Sequence, residues 1–593
     1  MPYGFERNKK TAFNPIWDKK KIAVIASLLI LGLAAAAAYT LFVNKPARRA
    51  YLEAEGKNIK KYTDQLKTAY KDFYADQKPY MDSRYKKRTE FTADIRSDSE
   101  KPFGIANAEN IFDVLRRCKL IIDSNNDPTS KESLTKVNLL LERAPLIDAE
   151  IYTRDRELGF TVPVLLPGKY FTADRELLDQ VYQRFNLPLR PKKTFKASEA
   201  AGALKLDDRE LEGIIQDYGS FLSGLIKDKD VQYGDKVSVK VGNEDKTGRQ
   251  IILTLGGEET KKLIGEAARK FSADEVLSKL TYGNYAGMMG ILDEAALFQV
   301  YPMLEEMGYL KLNDILKDYL NVLGKKPDRE AFKNALEALD TDVTYPEGLK
   351  MVVVVDGSGN ILDRKLTTLM LRGPEERISI DLHSGTNDSK KDDFNKGFAQ
   401  VEIGMESPGE DKLLLGWGIN SNLDVNSKDE SRKGEIAVTH TRKKNGRDEF
   451  GIKLDMKVDS KIDEATLKRN STTEYELAFR GEDPGISDRL FGTMVTESWR
   501  NNKQKTRNSN SSIELNFDLP TLGVKNTALK FDLKNEDRFD VDFSLPQVKE
   551  ADAVNLNKAT DADLQKVQGD MMKSFGAFYL QNKPVVDAIL GTE

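Results

Sequence analysis

The feature that most constrains this 593-residue chain is a two-residue alternation of apolar and polar side chains. It starts near Met351 and returns, between polar interruptions, to Leu545. Phe450, Ile452, Leu454, Met456 and Val458 alternate with Gly451, Lys453, Asp455 and Lys457 without a slip. The same period runs through Ile378, Ile380 and Leu382, through Val401, Ile403 and Met405, and through Leu413, Leu415, Trp417 and Ile419. Ile436 and Val438, Tyr475 to Phe479, Ile513 to Leu519 and Phe539 to Leu545 continue it. Successive side chains of a strand point to opposite faces, so each segment reads as a strand with one apolar and one charged face. A sheet of such strands must be antiparallel, wet on one side and covered on the other. Connections such as Asp356-Gly357-Ser358-Gly359-Asn360 suit hairpins, and a meander this large must curl.

The covering elements are legible upstream and downstream. Ile59, Tyr62, Leu66, Tyr70 and Phe73 recur every three or four residues, which predicts one long amphipathic helix from Pro46 to about Tyr80. Phe91, Ala93 and Ile95 predict a strand, followed by a short helix over 107–117 and extended segments at 137–142, 146–153 and 158–166. Leu178, Val181, Tyr182 and Phe185 predict a helix behind a cap at Thr172, and 207–226 predicts another. A hairpin over 237–255, turning across Gly242 to Gly248, leads into a helix bearing Leu263, Ile264 and Phe271. A last helix, capped by Thr560, carries Leu564, Val567, Met571, Phe575 and Phe578 on one stripe and is expected to lie on the apolar face. The fold class is therefore α+β, with a large curled antiparallel sheet packed against amphipathic helices.

Ahead of all this, residues 22–43, opening on Ile22 and closing on Val43, form an unbroken apolar run without charge. About 20 apolar residues at 1.5 Å rise cross a hydrocarbon core of roughly 30 Å, so this run predicts a single transmembrane helix. Arg7, Lys9, Lys10 and Lys19 to Lys21 crowd the short tail before it, which keeps that tail in the cytoplasm by the positive-inside rule. The expectation is a single-pass plasma-membrane protein whose large domain lies outside the cell. A cleavable signal peptide, with Ala36-Ala37-Ala38 as its small residues, is the rival reading and exports the same domain. The expected divisions are 1–21 cytoplasmic tail, 22–43 transmembrane helix, 44–342 extracytoplasmic α+β part, 343–550 mainly antiparallel β part and 551–593 C-terminal helix.

Composition narrows the function classes. Cys118 is the one cysteine, so no intramolecular disulfide can form, and its place in the pattern Ile111, Val114, Leu115, Cys118 predicts a buried, inert thiol on a helix. Charged residues make up 31% of the chain with a formal net charge of -4, both signs interspersed, which argues against nucleic acid as a partner. The stretch from about 285 to 339 is helical in pattern and rich in soft side chains. Met288, Met289, Leu292, Phe298, Met303 and Met307 are candidate lining residues of a ligand cavity, since methionine adapts to irregular apolar partners.

Two strand-turn-strand units carry a family resemblance. They are Met351-Val-Val-Val-Val-Asp-Gly-Ser-Gly-Asn-Ile-Leu-Asp-Arg-Lys-Leu, and Val237-Ser-Val-Lys-Val-Gly with Gln250-Ile-Ile-Leu-Thr-Leu leading into a helix. On a tethered exported domain, they make residues 89–545 similar, loosely and without a signature motif, to the lipoprotein-localisation and mycobacterial-type lipid-carrier families. The resemblance implies an apolar cavity between sheet and helices that holds an acyl chain. The chain departs from those families in its greater length and in an anchor where many members carry a lipidated cysteine.

Catalytic motifs are sparse. Ser133-Leu134-Thr135-Lys136 and Lys246-Thr247-Gly248 match the S-x-x-K and K-T-G of penicillin-binding enzymes, but Ser133 leads into a strand where the nucleophile should open a helix. His383 and His440, the only histidines, read as cross-strand or surface residues, with a Ser-His-Asp relay as the alternative. Asp356, Ser358 and Asn360 lack the glycine and glutamate of a calcium loop, Ile361 and Thr367 standing there instead. No cofactor, metal site or catalytic residue is expected. The favoured function is a non-enzymatic, membrane-anchored envelope protein that binds a lipid or other apolar ligand. Alternatives are a structural or partner-binding envelope protein without a ligand, and an envelope hydrolase or transferase. The sequence leaves ligand, partner, strand order and oligomeric state open.

Overall fold

A computed structural model describes residues 46–99, 102, 108–185, 208–275, 334, 337–339 and most of 341–590. The expected span at 22–43 lies outside these residues, and among them no helix is long and apolar enough to cross a membrane. In chain order, α1 (Pro46–Asp82), β1 (Tyr85–Arg96), α2 (Ala108–Arg117), β2 (Cys118–Asp127), β3 (Glu132–Leu141), β4 (Ala144–Arg154), β5 (Glu157–Thr161) and β6 (Tyr170–Asp174) come first. Next are α3 (Leu178–Arg184), α4 (Asp208–Leu225), β7 (Val231–Val241), β8 (Glu244–Leu255) and α5 (Gly257–Ala273). The long β run holds β9 (Val343–Thr344), β10 (Leu349–Val355), β11 (Ile361–Arg372), β12 (Glu376–Thr386), β13 (Lys396–Glu406) and β14 (Leu413–Asn426). It continues with β15 (Ser431–Lys444), β16 (Arg447–Asp463), β17 (Lys468–Arg480), β18 (Ser487–Asn501), β19 (Thr506–Leu519) and β20 (Val524–Phe539). The described chain ends with β21 (Ala553–Asn555), α6 (Asp561–Gln581) and α7 (Lys583–Leu590).

All 21 strands belong to one sheet. Its path runs from β7 through β8 to β10, strand by strand to β20, then across to β1 and on to β6, with β9 added beside β11. Only β21 pairs in parallel, with β6. The expected α+β class with a large antiparallel sheet is thus observed.

Three details differ from the sequence reading. Strands β2, β18 and β20 carry so many Asn, Asp, Ser and Lys residues that their alternation is diluted, and their partners supply the missing signal. The alternation from Phe539 to Leu545 is not a strand beyond Phe539, because Asp540 adopts a left-handed conformation at φ 54 and turns the chain off the sheet. No side chain caps α3 at Leu177; Asp174 instead caps the 3-10 turn Arg175–Leu177 that leads into it, its Oδ1 accepting the Glu176 N–H at 3.0 Å, while Thr172 lies inside β6.

Register carries one parity of every strand onto the same face. Arg364, Ser384, Ala399, Ile419, Val438, Leu454, Leu477, Leu490, Phe517 and Thr527 form one continuous row from β11 to β20. This is the inner face, and both ends of α1 dock on it. At the first end, Tyr51, Leu52 and Ala54 are buried with Tyr218 of α4 and Leu263, Ile264 and Phe271 of α5 over Ile251, Met351, Leu366, Ile380 and Ile403. The Tyr51 hydroxyl donates to Met351 Sδ at 3.3 Å, and Glu55, wholly buried, accepts from Arg364 Nε at 3.1 Å and from its Nη2. At the far end, the Tyr80 hydroxyl donates to Asp537 Oδ2 at 2.5 Å, and its ring meets Tyr85 and Phe539 edge-on at 5.1 and 5.0 Å.

These two anchorages show that the sheet bends toward α1. Phe539 lies twelve residues beyond Thr527 and nine strand steps from Arg364. On a flat sheet the two anchors would be about 60 Å apart, at roughly 4.8 Å per strand and 3.3 Å per residue. The helical rise from Glu55 to Tyr80 covers only about 38 Å. The inner face is therefore concave and α1 is a chord across it. Gly492 allows a close approach on this face: Tyr475 lies opposite it and reaches past it to donate to the Glu514 carbonyl at 2.7 Å, and a Cβ on residue 492 would meet that carbonyl oxygen at 1.7 Å.

Replacing Arg364 with Ala leaves the Glu55 carboxylate buried without its guanidinium and is expected to cost about 3–5 kcal/mol in chemical denaturation. The double change Glu55→Leu with Arg364→Leu should restore most of that, and a single substitution as mild as the double would refute this account of the anchorage.

Candidate functional site

Among the described residues, packed clusters cover the inner face toward its two ends. The α1, α4 and α5 cluster lies over β8 and β10–β13. Phe112 and Ile111 of α2 lie on Ile95 and Leu529 of β1 and β20. Leu178, Val181 and Tyr182 of α3, with Leu564, Val567 and Met571 of α6, lie over Leu158, Phe160, Phe171 and Ala173 of β5 and β6. The expectation that the C-terminal helix packs on the apolar face is met by those three side chains.

None of these clusters draws a side chain from β14–β19. Among the described residues of those six strands only Leu415, Phe450 and Ser460 are fully buried. Trp417, Ile419 and Val438 stand 38, 47 and 38% exposed, and Leu454, Leu477, Leu490 and Phe517 are half-buried in the row that continues from Val438. A concave patch of this extent, apolar on one side of strands whose other side is charged, is the arrangement that receives an apolar ligand or partner. The six Met, Leu and Phe residues expected to line a cavity, Met288, Met289, Leu292, Phe298, Met303 and Met307, lie outside the described residues.

His440 sits on this patch. Its ring stacks on Trp417 at 5.2 Å and lies 6.3 Å from Phe450, with Nδ1 donating to the Gly416 carbonyl at 3.0 Å. Burial pushes the ring below its ordinary value; the Gly416 carbonyl opposes that shift and the nearby Arg442 adds to it. His383 lies on the opposite, polar face, its Nε2 2.7 Å from Asp363 Oδ1. With the sheet between them, the two histidines cannot serve one relay.

The other motifs resolve into structural roles. Ser133 Oγ lies 2.7 Å from Thr153 Oγ1, and Lys136 pairs with Glu150 at 2.8 Å, both on strand β3, while Lys246-Thr247-Gly248 is on β8 in a remote part of the sheet. Asp356 Oδ1 accepts the Ser358 and Asn360 N–H groups at 2.8 and 2.9 Å, closing the hairpin turn as expected. No group of His, Cys, Asp and Glu suited to a metal occurs among the described residues. Cys118 is buried, with burial pushing its thiol up, but it opens strand β2 rather than continuing α2. No protein-family model matches the chain, and no curated protein matches it.

His440 gives the site a pH signature. Its folded value lies below the roughly 6.5 of an unfolded histidine, so below that point the unfolded chain takes up a proton that the folded chain refuses. Stability is therefore expected to fall as pH drops from about 6.5 toward the folded value. His440→Phe should flatten that part of the stability curve relative to the parent protein, and the ring resonance of His440 should titrate below the ordinary histidine value. Superimposable curves for the two proteins would refute it.

Proposed function

We propose that the protein is a non-enzymatic binder of a lipid or other apolar ligand, held on the extracytoplasmic side of a plasma membrane by residues 22–43. The observation that carries this reading is the concave, half-exposed apolar surface of β14–β19, centred on Trp417, Ile419 and Val438. Leaving such a surface to water forfeits roughly 25 cal/mol per Å² of apolar area, so an occupant stabilises it. The uncharged run and the cationic tail before it support a retained anchor with the N-terminus inside.

The test uses Trp417 as a reporter in a chain carrying Trp17→Phe and Trp499→Phe, which removes the other two tryptophans. A phospholipid with brominated acyl chains should quench it saturably, and Ile419→Lys with Val438→Lys should reduce that affinity by at least about tenfold, since each charge must be desolvated against lipid. Absence of saturable quenching, together with no lipid in organic extracts of the purified protein, would sink the reading. A second reading, a partner-binding envelope protein, draws on α6, where Met572, Phe575 and Leu580 are 64, 41 and 74% exposed. It predicts a crosslink from position 572 to one defined protein and no quenching of Trp417.

A further inference from the structure

The inner face continues past the seam of β20 and β1 onto the early meander. Leu533, Phe91, Leu120, Leu139 and Ile147 lie opposite one another in turn across β20, β1, β2, β3 and β4. Ile151, on the same side of β4, lies opposite Thr135 and Phe160. Over 120–124, 133–139 and 147–153 the inward residues of β2–β4 carry no charge, while their outward neighbours include Lys119, Asp123, Lys136, Asp148 and Glu150. Ile147 and Ile151 are nevertheless 38 and 40% exposed, and none of the packed clusters among the described residues includes either.

Helix α6 passes over this area. Its first half docks on β5 and β6 through Leu564, Val567 and Met571. Its far end is tied to α7, where the Tyr579 hydroxyl donates to Asp587 Oδ1 at 2.8 Å, and α7 packs beside α2, which lies on β1 and β20. Phe160 shares a row with Lys87, four strands away, and Lys87 stands eight residues from Ile95 beneath α2. That diagonal is about 33 Å at roughly 4.8 Å per strand and 3.3 Å per residue. The 21 residues of α6 rise about 31 Å. The helix is therefore a bridge, with β2–β4 beneath its middle. Phe575 and Phe578 continue the docked stripe at helical spacing, yet Phe575 is 41% exposed and no residue of α6 is fully buried.

We propose that the space between α6 and β2–β4 is a second binding site, sharing no residue with the surface of β14–β19, and that it holds the hydrocarbon chain of a lipid. Three physical points carry this. Apolar side chains face each other from sheet and helix without closing together, which forfeits dispersion contacts and leaves apolar area in water. The lining has no charge and its hydroxyls already pair, Ser124 Oγ 3.2 Å from Thr135 Oγ1 and Ser133 Oγ 2.7 Å from Thr153 Oγ1, so it offers nothing to an ionic ligand. Because α6 is held at both ends, it leaves no room beneath it for another helix, about 10 Å across. A hydrocarbon chain is thin enough.

The experiment uses the full chain held in an amphipathic polymer, with Trp17, Trp417 and Trp499 each replaced by Phe and with Phe575→Trp as the reporter. A phosphatidylcholine with brominated acyl chains should quench it saturably. Met572→Trp, placed where the native side chain is 64% exposed, should be quenched clearly less at the same lipid concentration. Ile147→Lys with Ile151→Lys should weaken binding at position 575 at least about tenfold, since each charge must be desolvated against lipid. Ala149→Phe, which fills the space without a charge, should do the same and covers the case in which the lysines disturb the fold. Neither change should alter the quenching of Trp417 in the chain that retains it, so this site and the β14–β19 surface stand or fall separately. Equal quenching at positions 572 and 575 would mean that α6 lies on a lipid surface and overturns the enclosed site. No quenching at position 575, or quenching that survives both sets of substitutions, overturns it as well.

Discussion

The pairing of β1 with β20 is the constraint on which the rest of the molecule depends. Twelve consecutive residue pairs, from Tyr85 with Phe539 to Arg96 with Ala528, join segments more than four hundred residues apart in the chain. Without this seam the sheet would be two pieces, each with a long unpaired edge of the kind that recruits other chains. With it, the early meander β1–β6 and the late meander β10–β20 share one inner face, and α1 can cross from one to the other. A contact of such sequence separation closes a very long loop, so it is expected to form late in folding.

Much of this architecture is legible from residues alone, and the reasons it stops are physical. Strands such as β16 and β17 announce themselves because Leu454, Met456, Tyr475 and Leu477 alternate cleanly with charge. Helix α1 does so through its three-and-four spacing, and α6 through Thr560 and Asp563, which complete a capping box in the structure. Strand β18 hides because Gly492 stands where an apolar residue would mark the face, and Tyr475 from the neighbouring strand fills that place. The false extension through Val541 and Phe543 shows the converse: alternation continues, but one left-handed residue, Asp540, removes the backbone from its partner.

The candidate site was half legible. One apolar parity per strand reveals that a face exists, yet only register shows that Ile419, Val438, Leu454 and Leu477 fall in one row and that no described cluster covers it. The buried Glu55 and Arg364 pair had almost no signal, because its members are separated by 309 positions and only the fold makes them neighbours. A buried pair of this kind adds little net stability over an apolar substitute and is better understood as fixing a unique docking position.

That docking has a mechanical meaning. With one end of α1 fixed at Glu55 and the other at Tyr80, the helix stands to the sheet as a string to a bow. A helix resists stretching, so the string's length sets the draw of the bow. Each turn added between the two fixed points would lengthen it by about 5.4 Å and let the bow relax toward flatness, widening the hollow beneath. The gauge of that hollow is thus written in the residue count between two anchors rather than in any residue that lines it.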